Sequence, residues 1–112
     1  MKAIFINSET REITYIDNAG DLGSLYLTLN CDMVQIGDFN QTNGDTLWVD
    51  EEGLLKEQKY GFVYKTKEFV GSGVIYGSNI GGDNVSARST IDDVAAELLF
   101  YRFETPETNK TI

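Results

Sequence analysis

Hydrophobic and polar positions change rhythm several times along this chain, and each rhythm predicts an element. Lys2 to Ile6 is a short apolar run that reads as a buried strand, and Asn7-Ser8-Glu9-Thr10 is a turn by composition. Glu12 to Ile16 alternates, with Ile13 and Tyr15 against Thr14 and Ile16, so the two runs predict an N-terminal hairpin. After the loop Asp17-Asn18-Ala19-Gly20, Leu22, Leu25, Tyr26 and Leu29 fall at helical spacing. They predict a short amphipathic helix capped by Asp21. Cys31 to Gly37 reads as a strand, Asp38 to Asp45 as a polar turn, and Thr46 to Val49 as the returning strand. Asn43-Gly44 lies within that turn and is the strongest hairpin signal in the chain.

The second half is less regular. Asp50 to Lys59 is a charged connection, and Tyr60 to Tyr64 fits either a short strand or an ordered loop. Gly73 to Gly77 reads as a strand, and Ser78 to Ser89 as a glycine- and asparagine-rich loop. A second helix starts at Thr90, with Asp93 completing an approximate capping box. Its face carries Ile91, Val94, Ala95, Leu98 and the stem of Arg102, widened by Leu99 and Phe100. The element order predicts an α+β fold: a mostly antiparallel sheet built from hairpins, with one short and one longer helix packed on it. Residues 1–103 read as one domain and 104–112, with the only proline, as a flexible C-terminal tail.

Charge changes this picture most. Eighteen acidic residues stand against nine basic ones, for a net charge of −9. That field repels phosphate and argues against direct nucleic-acid or anionic-membrane binding. One cysteine allows no internal disulfide, which fits a reducing compartment. The opening apolar run is too short for a signal-peptide core, so the expected setting is cytoplasmic. No segment approaches the roughly 20 apolar residues of a membrane helix.

Candidate chemistry is sparse. The chain has no histidine, which removes histidine triads, cysteine–histidine pairs and histidine metal sites. Cys31 reads as a buried structural thiol. Asp38 to Gly44 misses the calcium-loop pattern: glycine comes one position late and Val49 stands where a ligating glutamate belongs. Gly71 to Gly77 has phosphate-loop glycines at the wrong spacing and no helix directly after them, so close strand packing explains them better. Asp92-Asp93 is accounted for by helix capping. Two features remain. One is the acidic turn Asp50-Glu51-Glu52 with Asp45 nearby; the other is a basic, aromatic stretch with Lys59, Tyr60, Tyr64, Lys65 and Lys67, to which Arg88 can add.

Several of these segments resemble a family of small uncharacterised proteins encoded by bacteriophages and plasmids. Lys2 to Asn7 with Thr10 to Ile13 is similar to its opening hairpin, and Cys31 to Gln35 to its next strand. Val49-Asp50-Glu51-Glu52-Gly53-Leu54-Leu55 resembles its most specific motif, and Ile75 to Asn79 its closing segment. The chain departs from the family at Asn30-Cys31, where a glycine is usual, and at Lys56 to Lys59, which replaces a proline- and asparagine-rich link. The resemblance implies a mobile-element origin and the host bacterial cytoplasm, and transfers no catalytic residue.

The expected function is therefore non-enzymatic, with no cofactor and no metal. The first expectation is an acidic accessory protein that inhibits a host or anti-phage defence protein by meeting its basic surface through Asp45, Asp50, Glu51 and Glu52. The second is a protein that binds or sequesters a small nucleotide ligand through Lys59, Tyr60, Tyr64, Lys65, Lys67 or Arg88, with room for a homo-oligomer.

Overall fold

A computed structural model describes residues 1–53, 56 and 59–102. The opening hairpin forms as expected, from β1 (Lys2–Asn7) and β2 (Glu12–Asp17) in antiparallel register. Helix α1 (Leu22–Leu29) follows, and the Asp21 carboxylate accepts from Ser24 N at 2.8 Å as its N-cap. Leu25 is fully buried and Tyr26 and Leu29 are half-buried, but Leu22, expected on the same face, is exposed.

Cys31 does not start a strand. Asn30 takes a left-handed conformation (φ 52°), and the Cys31 amide bonds back to Tyr26 O at 3.0 Å, closing the helix. The strand β3 begins three residues later (Val34–Phe39) and pairs with β4 (Thr46–Asp50). Their connection is longer than a two-residue turn. The Asn40 side chain accepts from Thr42 N and Asn43 N, and Gly44 supplies the positive φ (81°).

Tyr60–Tyr64 proves to be a strand, β5, and it turns directly into β6 (Lys67–Val70). Lys65 and Thr66 both have positive φ (49° and 72°), as a two-residue hairpin turn requires. No glycine or asparagine announces that turn, so the sequence hides it. β7 (Gly73–Ser78) is buried along nearly its whole length, and a short β8 (Asn84–Val85) pairs with its end.

The second helix is shorter than its pattern suggests. The capping box at Thr90 and Asp93 is present, but α2 (Ile91–Ala95) lasts five residues. Leu98–Arg102 is instead a strand, β9, paired with β5. The apolar run from Leu98 to Tyr101 fits a helical stripe or a strand equally well, and pairing with β5 decides it. The expected tail, 104–112, lies outside the described residues.

The main sheet runs β2-β1-β7-β4-β3, and a second sheet runs β6-β5-β9. Both are antiparallel, and with two helices the α+β class holds. One face of the main sheet presents Ile4, Ile6, Leu47, Val49 and Ile75 to Phe62, Tyr64 and Leu98 of the second sheet and to Val94 of α2. The other presents Ala3, Val74 and Tyr76 to Leu25 of α1. Gly73 lets the sheets approach, since a Cβ there would stand 3.1 Å from Phe62 Cζ of the second sheet. No helix among the described residues is long and apolar enough to cross a membrane.

Candidate functional site

At one end of the main sheet, six chain segments line a cleft of about 590 Å³. The β1–β2 turn brings Ser8 and Glu9, and the end of α1 brings Thr28, Leu29 and Asn30. The end of β4 brings Asp50, the connection after it Lys56 and Lys59, and the start of β5 brings Tyr60. Gly71 and Ser72, between β6 and β7, close the wall.

Hydrogen bonds hold these segments in place. Ser8 N donates to Ser72 Oγ at 3.0 Å, Ser8 Oγ donates to the Gly71 carbonyl, and Gly71 N donates to Tyr60 O at 2.8 Å. Ser8 is itself buried, so its two bonds satisfy a polar group that would otherwise cost stability. On the opposite wall Lys56 Nζ lies 2.7 Å from Asp50 Oδ2 and donates to Asn30 O at 3.4 Å. Asp50 Oδ1 accepts from Glu52 N at 2.9 Å. Hydrogen bonding to Asp50 is the largest influence holding the Lys56 ammonium above the ordinary lysine range, so it stays cationic at neutral pH. Lys59 is exposed, and Tyr60 is half-buried with the Arg102 guanidinium 5.3 Å from its ring centroid.

The acidic residues expected to form one docking surface are divided by the fold. Asp45 is 5% exposed and accepts from Arg88 N (2.9 and 3.2 Å) and Ser89 N (2.7 Å). Asp50 is 6% exposed and bound to Lys56 and Glu52 N. Both are internal acceptors, Asp45 tying the β3–β4 connection to Arg88 and Ser89 and Asp50 holding the connection that follows it, so neither stands free at the surface expected to meet a partner. Glu51 is exposed and Glu52 half-exposed.

The basic and aromatic set is divided too. Lys59 and Tyr60 meet in the cleft. Tyr64 is buried between the sheets, and burial pushes its hydroxyl up to about 12. Lys65 and Lys67 both reach Asp38, at 3.3 and 3.4 Å. Arg88 donates to Asn43 O and Ser78 O, bracing two loops. Those four therefore lie outside the cleft, each held by its own internal contacts.

Sequence reading missed Ser8, Asn30, Lys56 and Ser72 as cleft residues. Lys56 belongs to the visible lysine cluster, but only the fold shows it to be the one joined to a buried carboxylate. Cys31 is a buried thiol as expected; burial is the main influence raising it, followed by the Asp50 charge, so it is not an activated nucleophile. No group of residues suited to a metal occurs among the described residues.

No family model matches this chain, and no curated protein or solved structure matches it either.

Proposed function

We propose that this is a non-catalytic binding protein whose cleft takes a small anionic ligand with a planar ring, of the nucleotide class. One observation carries the reading: Lys56, Lys59 and Tyr60 converge on a braced cleft of about 590 Å³, inside the usual range for small-molecule sites of roughly 300–1,000 Å³. Exposed Lys59 offers a charge-assisted hydrogen bond to a phosphate, Lys56 being already paired with Asp50 at 2.7 Å, and the tyrosine ring offers a stacking face. Ser8, Asn30 and Ser72 add polar groups along the same wall. Among the described residues lining the cleft, the side chains offer charge, hydrogen bonds and a ring face, which suits them to holding a ligand.

The test is thermal unfolding with mono- and cyclic nucleotides, in the wild type and in Lys59→Glu. A ligand at a hundredfold excess over its Kd adds about 2.7 kcal/mol of stability. A raised Tm in the wild type that is lost in Lys59→Glu is the expected result. No shift with any nucleotide, or an equal shift in both proteins, overturns the reading.

A second reading keeps the acidic-inhibitor function in a phage-infected bacterial cytoplasm, now resting on the exposed Glu51, its neighbour Glu52 and the net charge of −9. Its test is salt-sensitive binding to a basic protein partner, weakened by Glu51→Lys and Glu52→Lys together. Unchanged affinity in that variant contradicts it.

A further inference from the structure

We propose that the cleft selects a phosphodiester, such as a cyclic nucleotide, over a nucleotide that ends in a phosphate monoester, a step that rests on the nucleotide reading of the site and narrows it. The ground is the amount of negative charge that the cleft can neutralise.

Four charged side chains line the cleft among the described residues: Glu9, Asp50, Lys56 and Lys59. Lys56 is committed to the fold. Its Nζ lies 2.7 Å from Asp50 Oδ2, on a side chain only 3% exposed, and it donates to Asn30 O at 3.4 Å. Drawing Lys56 toward a ligand would leave a buried carboxylate uncompensated, so the pair stays together. Lys59 is exposed and makes no ion pair among the described residues, which leaves it as the lining cation open to a ligand. Glu9 is likewise exposed and unpaired among the described residues. The cleft therefore offers one open cation and one open anion. Arg102 lies against the Tyr60 ring but is not part of the lining.

The backbone acts in the same direction. α1 meets the cleft with its last residues, Thr28 and Leu29, and with its cap, Asn30. That end of a helix carries the negative pole of its dipole, which disfavours added negative charge. The net charge of −9 repels a multiply charged anion over a longer range.

A phosphate monoester carries about −1.5 to −2 at neutral pH, whereas a diester has no second proton to lose and carries about −1. Lys59 balances the diester. On the monoester it leaves most of one charge uncompensated, in a cleft that also holds Glu9 and the carbonyl end of α1. Neutral groups complete the contact without changing this balance. Ser72 Oγ accepts from Ser8 N at 3.0 Å and keeps its own proton to donate, and Tyr60 supplies its ring.

Isothermal titration calorimetry tests this on the wild type and Glu9→Gln, with cyclic AMP, AMP, the methyl ester of AMP and their guanine counterparts. Each set shares one base, and the methyl ester is an open-chain diester, so charge is separated from the shape of the cyclic phosphate. At about pH 7.5 we expect both diesters to bind at least about fivefold more tightly than the monoester. The preference should shrink at about pH 5.5, where the monoester gains a proton (second pKa about 6) and approaches −1. It should shrink again in Glu9→Gln, which removes the open carboxylate. A monoester that binds as tightly as its methyl ester overturns the proposal, and so does a preference that persists unchanged both at the lower pH and in Glu9→Gln. Binding of none of these compounds overturns the nucleotide reading itself, so the two failures are told apart.

Discussion

The two faces of the main sheet are built to different standards. One is sealed: the second sheet and α2 cover it, and Ile4, Ile6, Leu47, Phe62 and Val94 are almost wholly withdrawn from water. Among the described residues the other is covered by the eight-residue α1, with the cleft at one end and the apolar strip of β3 at the outer edge. The contrast teaches where to look for function. The sealed face accounts for stability, and the partly covered face keeps surface that a folded domain has no internal use for.

The comparison breaks first if the sealed face is not the stable one. Phe62→Ala removes a fully buried ring that packs 5.2 Å, centroid to centroid, from Phe69. It should cost about 3–5 kcal/mol in urea unfolding, and a loss below 1 kcal/mol contradicts the assignment. Next in size is Asp45→Ala, which strips the acceptor from two backbone amides, Arg88 N and Ser89 N. A loss of about 1–3 kcal/mol is expected, with faster amide exchange at both positions.

Alkaline titration sharpens the comparison, because each face holds one buried tyrosine. Burial raises Tyr64, on the sealed face, and Tyr76, under α1, from 10.0 to about 12. A raised folded-state value means that stability is intact below pH 10 and is lost as the unfolded chain ionises first, between pH 10 and about 12. Lys56, raised from 10.5, acts in the same direction. Unfolding midpoints measured against pH should therefore fall above pH 10. A flat profile to pH 12 contradicts burial of these hydroxyls. The smallest effect is a gain: Thr66→Gly relieves a β-branched residue held at φ 72°. That strain is about 1–2 kcal/mol, offset by about 0.5–1 kcal/mol for glycine's larger conformational entropy in the unfolded chain, so urea unfolding should show a small net stabilisation.

How much of this the sequence reveals depends on where each signal resides. The opening hairpin, α1 and the Thr90 capping box are local, and all three are legible from spacing and capping residues. β6 and β9 are not. β6 depends on a Lys65-Thr66 turn without turn residues, and β9 on a partner strand, β5, more than thirty residues earlier. The site divides along the same line. Lys59 and Tyr60 are adjacent, and composition marks them out. Ser8, Asn30, Asp50 and Ser72 come from separate elements, and only the tertiary fold brings them together. Asp50 is the clearest case. It looks like a member of an exposed acidic run, yet strand alternation turns it toward Lys56 while Glu51 stays in water.

The most direct measurement of the central claim is a nitrogen–proton correlation spectrum recorded during titration with adenosine monophosphate and cyclic nucleotides. Saturable shifts confined to Ser8, Asn30, Lys59, Tyr60 and Ser72 are expected, with the sealed-face amides of Phe62 and Leu47 unmoved. Shifts clustered instead around Lys65, Lys67 and Arg88, or none with any nucleotide, would contradict the assignment of the cleft as the binding site.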